Sequence, residues 1–305
     1  MKFNVKTKIK IKGFIPSTII PRNGPIKKLQ IIKNGNSFSL YSSRCKGVNI
    51  PRNICLNSDD FVAIGLYLAE GTTYCNINNK TKHSGEIAFA ISHPNCISLV
   101  CKLLNKFKIS TKSLKWKVGL NINYKNKISR EELLDYWAKK IKLDKNSLRH
   151  KSIYYSGKIG GKISTNTGKR GCLHIFYAST IFRNLFLNFI NKILDDSIKN
   201  KSKKKLALTL RGFFAGDGSV DYSPKYKREQ TEFLSNDPLL VEKIRQSLHI
   251  LGLTSIRETW PDRTKTHTKS LRIYNKRDFL LLEKYGIPNL VDYKRKTFSK
   301  LIKSL

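Results

Sequence analysis

The chain has 305 residues, of which 59 are Lys or Arg and 21 are Asp or Glu, so its formal net charge is +38. An apolar fraction of 40% supplies a packed core and excludes a wholly disordered chain, and the length accommodates two domains. A charge this far above what solubility requires indicates a polyanionic partner, nucleic acid first. A bias toward AT-rich codons explains part of the Lys, Asn and Ile content but not the scarcity of acids.

The sequence shows no sign of export or membrane insertion. The first residues, Met1–Lys8, lack the apolar core of a signal peptide, and no apolar run is long enough to span a bilayer. The six cysteines form no C-x-x-C pair and show no zinc-ligand spacing. We expect an intracellular protein of the cytoplasm, the nucleoid or an organelle, neither secreted nor membrane-bound.

Residues 1–50 are predicted to form a basic N-terminal extension. Lys6–Lys12 alternate as in a strand, and Pro16, Pro21 and Gly24 then punctuate the segment. No particular chemistry follows from this composition.

A first half-domain is predicted over residues 51–198. Its opening helix starts at Asn57–Asp60 and runs to Glu70, where Gly71 ends it. Alternating and helical patterns then predict strands at Thr72–Asn78, Glu86–Ser92, Lys115–Tyr124 and Cys172–Ala178, with helices after Asn95 and Ser129 and at Thr180–Ile198.

A second half-domain over residues 206–305 repeats this order after a basic linker at 199–205. For Lys203–Lys205 in that linker, a solvated run and a phosphate contact are both open. The second half is predicted to contain a helix ending at Asp217, strands at Ser219–Tyr222, Gln230–Ser235, Ser255–Trp260 and Ser270–Tyr274, and helices from Pro238 to Gly252 and from Arg277. This order predicts an α+β fold with helices on one face of an antiparallel sheet in each half.

Two segments, Ala63–Gly71 (AIGLYLAEG) and Leu210–Gly218 (LRGFFAGDG), repeat one pattern of small residues, an acid and a final Gly. Residues four apart share a helix face, so two pairs of small residues predict a close helix–helix interface: Gly65 with Ala69, and Gly212 with Gly216.

Such an interface would bring Glu70 and Asp217 together at two helix C-termini, which already carry negative partial charge. Carboxylates that close favour protonation of one unless a cation intervenes. A Lys could neutralise them, or a hard divalent cation could bind the carboxylates, backbone carbonyls and water and activate water for phosphoryl transfer. The alternative is two ordinary acids before helix-ending glycines.

Polar strand faces suit DNA, because Arg, Lys and Asn contact phosphates and base edges. The alternative for each of these residues is a solvated outer face. The predicted DNA-binding residues are Lys115, Lys117, Asn121 and Asn123 in the first half, Lys158, Lys162, Lys169 and Arg170 in a Gly/Lys-rich ribbon, and Arg257, Thr259, Arg272 and Tyr274 in the second half.

Both repeated segments resemble the LAGLIDADG motif of homing endonucleases, and their context in Asp60–Thr72 and Phe233–Leu240 is similar to archaeal and intein-associated members. The resemblance covers about residues 52 to 305. It implies two pseudo-symmetric αββαββα half-domains with saddle-shaped antiparallel sheets, packed through the motif helices of a monomer.

The resemblance also implies a free-standing, intron-encoded endonuclease. It would make a Mg²⁺-dependent double-strand break across the minor groove of a long asymmetric DNA target and leave short 3′ overhangs, with Mn²⁺ or Ca²⁺ as substitutes in binding. An RNA maturase acting on intron RNA and a DNA-binding regulator without catalysis remain alternatives.

By the same resemblance, Glu70 and Asp217 are the catalytic acids and bind metal with the carbonyls of Ala69 and Gly216. Family members often add a Lys near each active site. Lys276 fits in the second half, whereas the first-half strand Leu173–Ala178 has no Lys and only the ribbon's Lys158 and Lys162 could substitute. Two unequal active sites are therefore expected.

Overall fold

The computed structural model describes residues 3–19, 25–43, 45–72, 85–157, 170–226, 228–259 and 268–305. The chain divides into two compact units that do not follow the predicted domain bounds. Unit 1 contains Met1–Thr7, Leu56–Glu70 and Ile190–Leu305, whereas unit 2 contains Lys8–Cys55 and Gly71–Phe189. The first motif helix thus belongs to the same unit as the second half of the chain.

The described residues before α1, which include the predicted N-terminal extension 1–50, form seven short strands. The strands are β1 (Lys6–Lys10), β2 (Thr18–Ile19), β3 (Lys27–Lys28), β4 (Gln30–Asn34), β5 (Ser37–Ser42), β6 (Cys45–Pro51) and β7 (Asn53–Asn57). They pair as β1–β7, as β2–β3 and as an antiparallel sheet in the order β4-β5-β6.

Helix α1 (Ser58–Glu70) begins and ends where the sequence predicts. Asn57 and Asp60 exchange hydrogen bonds at its start: the Asn57 N–H donates to Asp60 Oδ2 at 2.6 Å, and the Asp60 N–H donates to Asn57 Oδ1 at 3.2 Å. This reciprocal cap satisfies backbone donors that the first turn leaves without helical partners.

The first-half sheet belongs to unit 2 and has the order β10-β9-β11-β8. The elements are β8 (Glu86–Ile91), α2 (Pro94–Lys106), β9 (Lys115–Asn121), α3 (Arg130–Ile141), β10 (Leu148–Ser156), β11 (Cys172–Ala178) and α4 (Thr180–Lys199). Of the strand predicted at Thr72–Asn78, only Thr72 belongs to the described residues.

The expectation of a wholly antiparallel sheet is wrong in this half. Pairs β8–β11 and β11–β9 are antiparallel, but β10 runs parallel to β9. Helix α3 lies between β9 and β10 and returns the chain to the starting edge, and parallel neighbours require such a crossover. Strand β10 is an addition to the predicted αββαββα order.

The core of unit 2 lies between this sheet and its helices. Ile87, Phe89 and Ile91 alternate inward along β8 as predicted. Phe107, which follows α2, packs its ring 5.0 Å from the ring of Phe189 on α4, centroid to centroid.

The second half has the predicted αββαββα order, followed by one further helix. Its elements are α5 (Lys203–Asp217), β12 (Gly218–Ser223), β13 (Arg228–Ser235), α6 (Pro238–Leu251), β14 (Ile256–Thr259), β15 (Lys269–Ile273), α7 (Lys276–Lys284) and α8 (Asp292–Ser304). The sheet order is β12-β13-β15-β14, and every pair is antiparallel, as expected.

Two details of this half differ from the sequence prediction. Helix α4 continues to Lys199 and α5 starts at Lys203, so Lys203–Lys205 lie in a helix and the predicted linker 199–205 shrinks to a turn. Helix α8 was not predicted. Within the described residues, no helix combines the length and apolarity needed to cross a bilayer.

Candidate functional site

Helices α1 and α5 cross with their backbones in contact at two glycines, both in unit 1. A Cβ atom at Gly65 would lie 1.8 Å from the carbonyl oxygen of Thr209, and one at Gly212 would lie 1.9 Å from that of Val62. Since real side chains do not fit in such gaps, only glycine permits this approach.

The contacts of the two glycines are equivalent. Gly65 also faces the backbone nitrogen of Phe213, and Gly212 faces that of Leu66, each 2.8 Å from the position of a Cβ. Thr209 and Phe213 occupy the positions in the second motif that Val62 and Leu66 occupy in the first. The crossing therefore has local two-fold symmetry.

The crossing continues to the helix ends, where the acids lie. A Cβ at Gly216 would meet Ala69 Cβ and Glu70 Cγ, each at 2.7 Å. Glu70 is the last residue of α1, and Asp217 is the last residue of α5. The structure thus brings together Gly65, Ala69, Glu70, Gly212, Gly216 and Asp217.

Both acids bind protons more tightly than free carboxylates do. Burial is the main cause for each, and it raises the pKa of Glu70 and raises that of Asp217 to about 7. The charge of Glu70 raises the Asp217 pKa further, while Lys294 opposes both shifts. These are two neighbouring carboxylates with little access to water.

Lys294, a residue that the sequence analysis did not single out, closes the end of α5. Its side chain is buried, and Nζ donates to the carbonyl oxygens of Phe214 and Ala215 at 2.8 Å and of Gly216 at 2.9 Å. These carbonyls belong to the last turn, which has no helical donors left and carries the negative end of the helix dipole. A cation thus stabilises α5 beside the acids.

A signal for Lys294 existed in the sequence. Lys294, Phe298 and Leu301 lie at helical spacing and are the buried residues of α8. A lysine in line with apolar positions indicates a buried ammonium that needs several acceptors.

Lys276, predicted as the catalytic lysine of the second half, is the first residue of α7 and does not belong to the sheet. Strand β15 ends at Ile273 and Asn275 caps α7, so the strand face that carries Arg272 does not extend to Lys276. Its Nζ donates to the carbonyl oxygen of Leu305. Lys294 is the lysine whose charge acts on both acids.

The outer face of the first sheet is an aromatic and cationic cluster around Lys117. Its Nζ lies 4.7 Å from the ring centroid of Tyr154 and 5.5 Å from that of Phe176. The Tyr154 hydroxyl and His174 Nε2 are hydrogen-bonded at 2.6 Å. Burial, and then the charge of Lys117, lower the pKa of His174 to about 4, so this imidazole is neutral at physiological pH.

The other predicted DNA contacts of the first half differ in placement. Lys115 is exposed on β9, but the strand ends at Asn121, whose Oδ1 accepts from the N–H of Asn123 at 3.0 Å. Asn123 therefore lies in a turn, which corrects the predicted strand face. Arg170 stacks over the ring of Tyr136 at 4.3 Å. Lys158, Lys162 and Lys169 lie outside the described residues.

In the second sheet, charges pair across the strands. Arg272 forms an ion pair with Glu232 of the neighbouring strand. Arg257 stands opposite Arg272 on β14, is exposed, and lies 5.8 Å from the ring centroid of Tyr274. Thr259 is half-buried at the end of β14. Arg257 and Tyr274 are thus the predicted contacts on this sheet that reach furthest into solvent.

The residues at the crossing suit a hard divalent cation. Among the described residues, no group of three or more His, Cys, Asp or Glu side chains forms a metal cluster. The oxygens at the crossing are the Glu70 and Asp217 carboxylates and the backbone carbonyls of Ala69 and Gly216, and the Gly216 carbonyl already accepts from Lys294 at 2.9 Å. Oxygen donors of this kind suit Mg²⁺, and a bound divalent cation would favour the ionised form of both carboxylates, whose pKa values burial raises.

The family model described as the LAGLIDADG-like domain matches residues 204–286. The second half of the chain is a LAGLIDADG-like domain. The match contains the second motif, with Gly212, Gly216 and Asp217, and both hairpins of the second sheet.

Solved structures similar to this chain include two homing endonucleases. I-WcaI bound to its DNA recognition sequence is 12% identical, with a TM-score of 0.43 over 79% of this chain and 85% of that one. A variant of I-DmoI in complex with its target DNA, in the presence of Mn, is 12% identical, with a TM-score of 0.39 over 78% of this chain and 97% of that one. The N-terminal LAGLIDADG domain of DUF199/WhiA is 13% identical, with a TM-score of 0.37 over 75% and 83%. No curated protein sequence matches the chain.

Proposed function

We propose that this LAGLIDADG protein is a site-specific endonuclease that cuts both strands of double-helical DNA with a divalent metal, Mg²⁺ in the cell. The observation that carries the proposal is the buried pair of Glu70 and Asp217 at a glycine-packed helix crossing. A net charge of +38 fits a DNA substrate.

Glu70 and Asp217, together with the carbonyls of Ala69 and Gly216, would hold the metal. When bound, Mg²⁺ supplies Lewis-acid stabilisation for an in-line phosphoryl displacement and lowers the pKa of water. The chain's own residues fix the spacing of the two carboxylates through the Gly65 and Gly212 contacts, and they limit the water around them. Mn²⁺ or Ca²⁺ would substitute in binding.

The two strands would be cut at different rates. Lys294 donates to the Gly216 carbonyl on the α5 side and so shares one proposed metal ligand. The acids also differ, Glu on α1 and Asp on α5. This inequality replaces the one that the sequence analysis attributed to Lys276, and a nicked intermediate should accumulate.

The outer sheet faces would supply the DNA contacts of a monomer. Lys115 and Lys117 on one sheet and Arg257 and Tyr274 on the other combine cations with hydrogen-bonding groups that contact phosphates and base edges. Because the two faces carry different residues, the target would be long and asymmetric. Glu70 and Asp217 would take part in cleavage of the two strands across the minor groove, which would leave short 3′ overhangs. The enzyme would be intron-encoded and act where its target DNA lies.

Substitution of either acid tests the proposal. Glu70→Gln and Asp217→Asn should each abolish double-strand cleavage, because an amide retains the shape but loses the charge that would hold the metal. The substrate is a duplex containing the intron-free insertion site taken from the gene's flanks. Cleavage is followed on gels with Mg²⁺, and binding by fluorescence anisotropy with Ca²⁺.

Glu283→Gln is the matched control, since Glu283 is an exposed acid on α7 of the same unit. It should cut as the unmodified protein does, and both acid variants should still bind. Tight binding of the site by the unmodified protein, with no cleavage in Mg²⁺ or Mn²⁺, would overturn the endonuclease proposal.

A further inference from the structure

The N-terminal module, defined as residues 1–58, differs in charge from the rest of the chain. It contains twelve Lys and Arg residues and no Asp or Glu, and the first acid is Asp59. Elsewhere basic and acidic residues are mixed and several form ion pairs, such as Arg272 with Glu232. The module therefore has positive charges that no carboxylate within it can neutralise.

Its three-stranded sheet has one face in the core and one face outward. Phe38, Leu40, Val48 and Ile50 form the buried face. On the other face, Asn34 Nδ2 donates to Ser39 Oγ at 2.8 Å, and Ser39 Oγ donates to Asn49 Oδ1 at 2.6 Å. Ser39 itself is buried, and its hydroxyl holds the exposed side chains of Asn34 and Asn49 in place on this face.

Lysine and hydroxyl side chains lie at the connection between β5 and β6. We call this surface the hairpin end, and it consists of Lys27, Lys28, Tyr41, Ser42, Ser43 and Lys46. Lys27 Nζ donates to the Ser43 carbonyl at 2.8 Å, and Ser42 Oγ donates to the Lys28 carbonyl at 3.1 Å, so β3 is tied to the turn. Lys46 follows Cys45, the register partner of Ser42.

Tyr41 is held at the hairpin end with part of its ring in solvent. Two of its ring carbons lie 2.8 Å from the position that a Cβ of Gly47 would occupy, so the ring packs against the glycine backbone. The residue as a whole is nevertheless 42% exposed. A side chain at position 47 would displace it. The ring of Tyr41 therefore packs against β6, and the next residue, Ser42, bonds the Lys28 carbonyl.

We propose that the hairpin end is a second DNA-contacting surface, which binds the phosphates of a double helix in addition to the contacts made by the two sheets. Lys, Ser and Tyr are among the residue types that donate hydrogen bonds to DNA phosphates. A second copy of this chain is disfavoured as the occupant, because it would bring the same acid-free surface and repel. The choice of DNA rests on the proposed function.

Residues 8–55 of the module belong to unit 2 and are fixed to the rest of that unit, so their contacts would add to those of the first sheet. Lys108 Nζ donates to Ser37 Oγ at 2.6 Å, and Asn188 Nδ2 on α4 donates to the Phe14 carbonyl at 2.7 Å. The rings of Phe14 and Phe189 lie 5.1 Å apart, centroid to centroid. A rigid attachment avoids the entropy cost of ordering a flexible arm on binding.

The salt dependence of binding tests this surface. The triple variant Lys27→Gln/Lys28→Gln/Lys46→Gln is compared with Lys102→Gln/Lys139→Gln/Lys140→Gln, which removes three exposed lysines from α2 and α3 of the same unit. Affinity for a labelled random-sequence 50-bp duplex is measured by anisotropy at several salt concentrations. Each lost phosphate contact lowers the log–log slope by about 0.9, so the hairpin variant should lose roughly 2 to 3 and the control less than about 1.

Equal slopes for the two variants would overturn the inference, as would a loss confined to single-stranded RNA of the same sequence. Circular dichroism melting of each variant shows that the module remains folded. Because random duplex binding requires no cleavage, the measurement is independent of the acids. Suppose that the unmodified protein never cuts DNA, and that the hairpin variant still has a smaller salt-dependence slope than the control. This result would overturn the proposed function but support the inference about the hairpin end.

Discussion

A lysine in this chain acquires its role from what surrounds its ammonium. Lys276 stands at the first turn of α7 and bonds the Leu305 carbonyl, whereas Lys294 is buried and bonds three carbonyls at the end of α5. From the sequence, the resemblance to LAGLIDADG proteins points to Lys276 as the lysine beside the acid of the second half. Burial and acceptor geometry decide in favour of Lys294, because a desolvated ammonium is stable only where several acceptors surround it.

The pKa of Asp217 predicts how the metal-free protein responds to pH. Its folded value of about 7 lies above the ordinary 3.8, so protonation favours the folded state. This stabilisation is fully present below about pH 4 and is lost as pH rises through about 7. The thermal unfolding midpoint in EDTA should therefore fall between about pH 5 and pH 8, and Asp217→Asn should flatten this fall and melt higher at pH 8.

Asp196→Asn is the control, since Asp196 is an exposed acid of the same unit and the substitution is identical. It should leave the pH profile unchanged. Lys294→Met should steepen the profile, because the cation that favours ionisation of both acids is lost. An Asp217→Asn profile parallel to that of the unmodified protein would show that Asp217 is not desolvated.

At the scale of elements, the crossing of α1 and α5 sets the geometry of the acids. At Gly65 and at Gly212, a carbonyl oxygen of the opposite helix lies within 2 Å of the position that a Cβ atom would occupy. Larger residues would hold the helices apart and separate Glu70 from Asp217. The helix interface and the candidate site therefore depend on the same glycine contacts.

Gly65→Ala tests this coupling. Alanine gains about 1 kcal/mol of helix propensity, yet its methyl would collide with the Thr209 carbonyl, and overpacking costs about 1–3 kcal/mol or more. We expect a net loss of about 2 kcal/mol in urea unfolding, with lower cleavage activity in the folded fraction.

Gly13→Ala is the matched control, because nothing lies within 4 Å of a Cβ at that position. Its free energy of unfolding should change by less than about 0.5 kcal/mol. A Gly65→Ala protein as stable as the unmodified one would mean that the helices do not cross as closely as the structure describes.

At the scale of the whole molecule, the two halves share a plan but have diverged by addition. The first half gains α3 and β10, the second half gains α8, and residues 1–58 add a basic module. Two of these additions contribute side chains to the surfaces and sites described above. Tyr154 on β10 packs against Lys117, and α8 provides Lys294, which bonds the Gly216 carbonyl.

The net charge of +38 predicts a steep salt dependence of DNA binding. If about ten phosphates are neutralised, the log–log slope of affinity against salt should be roughly −9. The same anisotropy measurement on the unmodified protein provides the value. A flat response would contradict binding dominated by the DNA backbone.

The sequence alone determined the repeated motif, the glycine spacing, the two acids and most helix and strand positions. These features are local, since periodicity, capping residues and small-residue spacing depend on neighbours a few positions away, as Asn57 and Asp60 show at the start of α1. The tertiary structure decided which lysine faces the acids, that β10 pairs parallel to β9, and that Asn123 leaves the sheet. Those outcomes depend on contacts between residues far apart in the chain, such as Lys294 with Gly216, for which no local pattern encodes the partner.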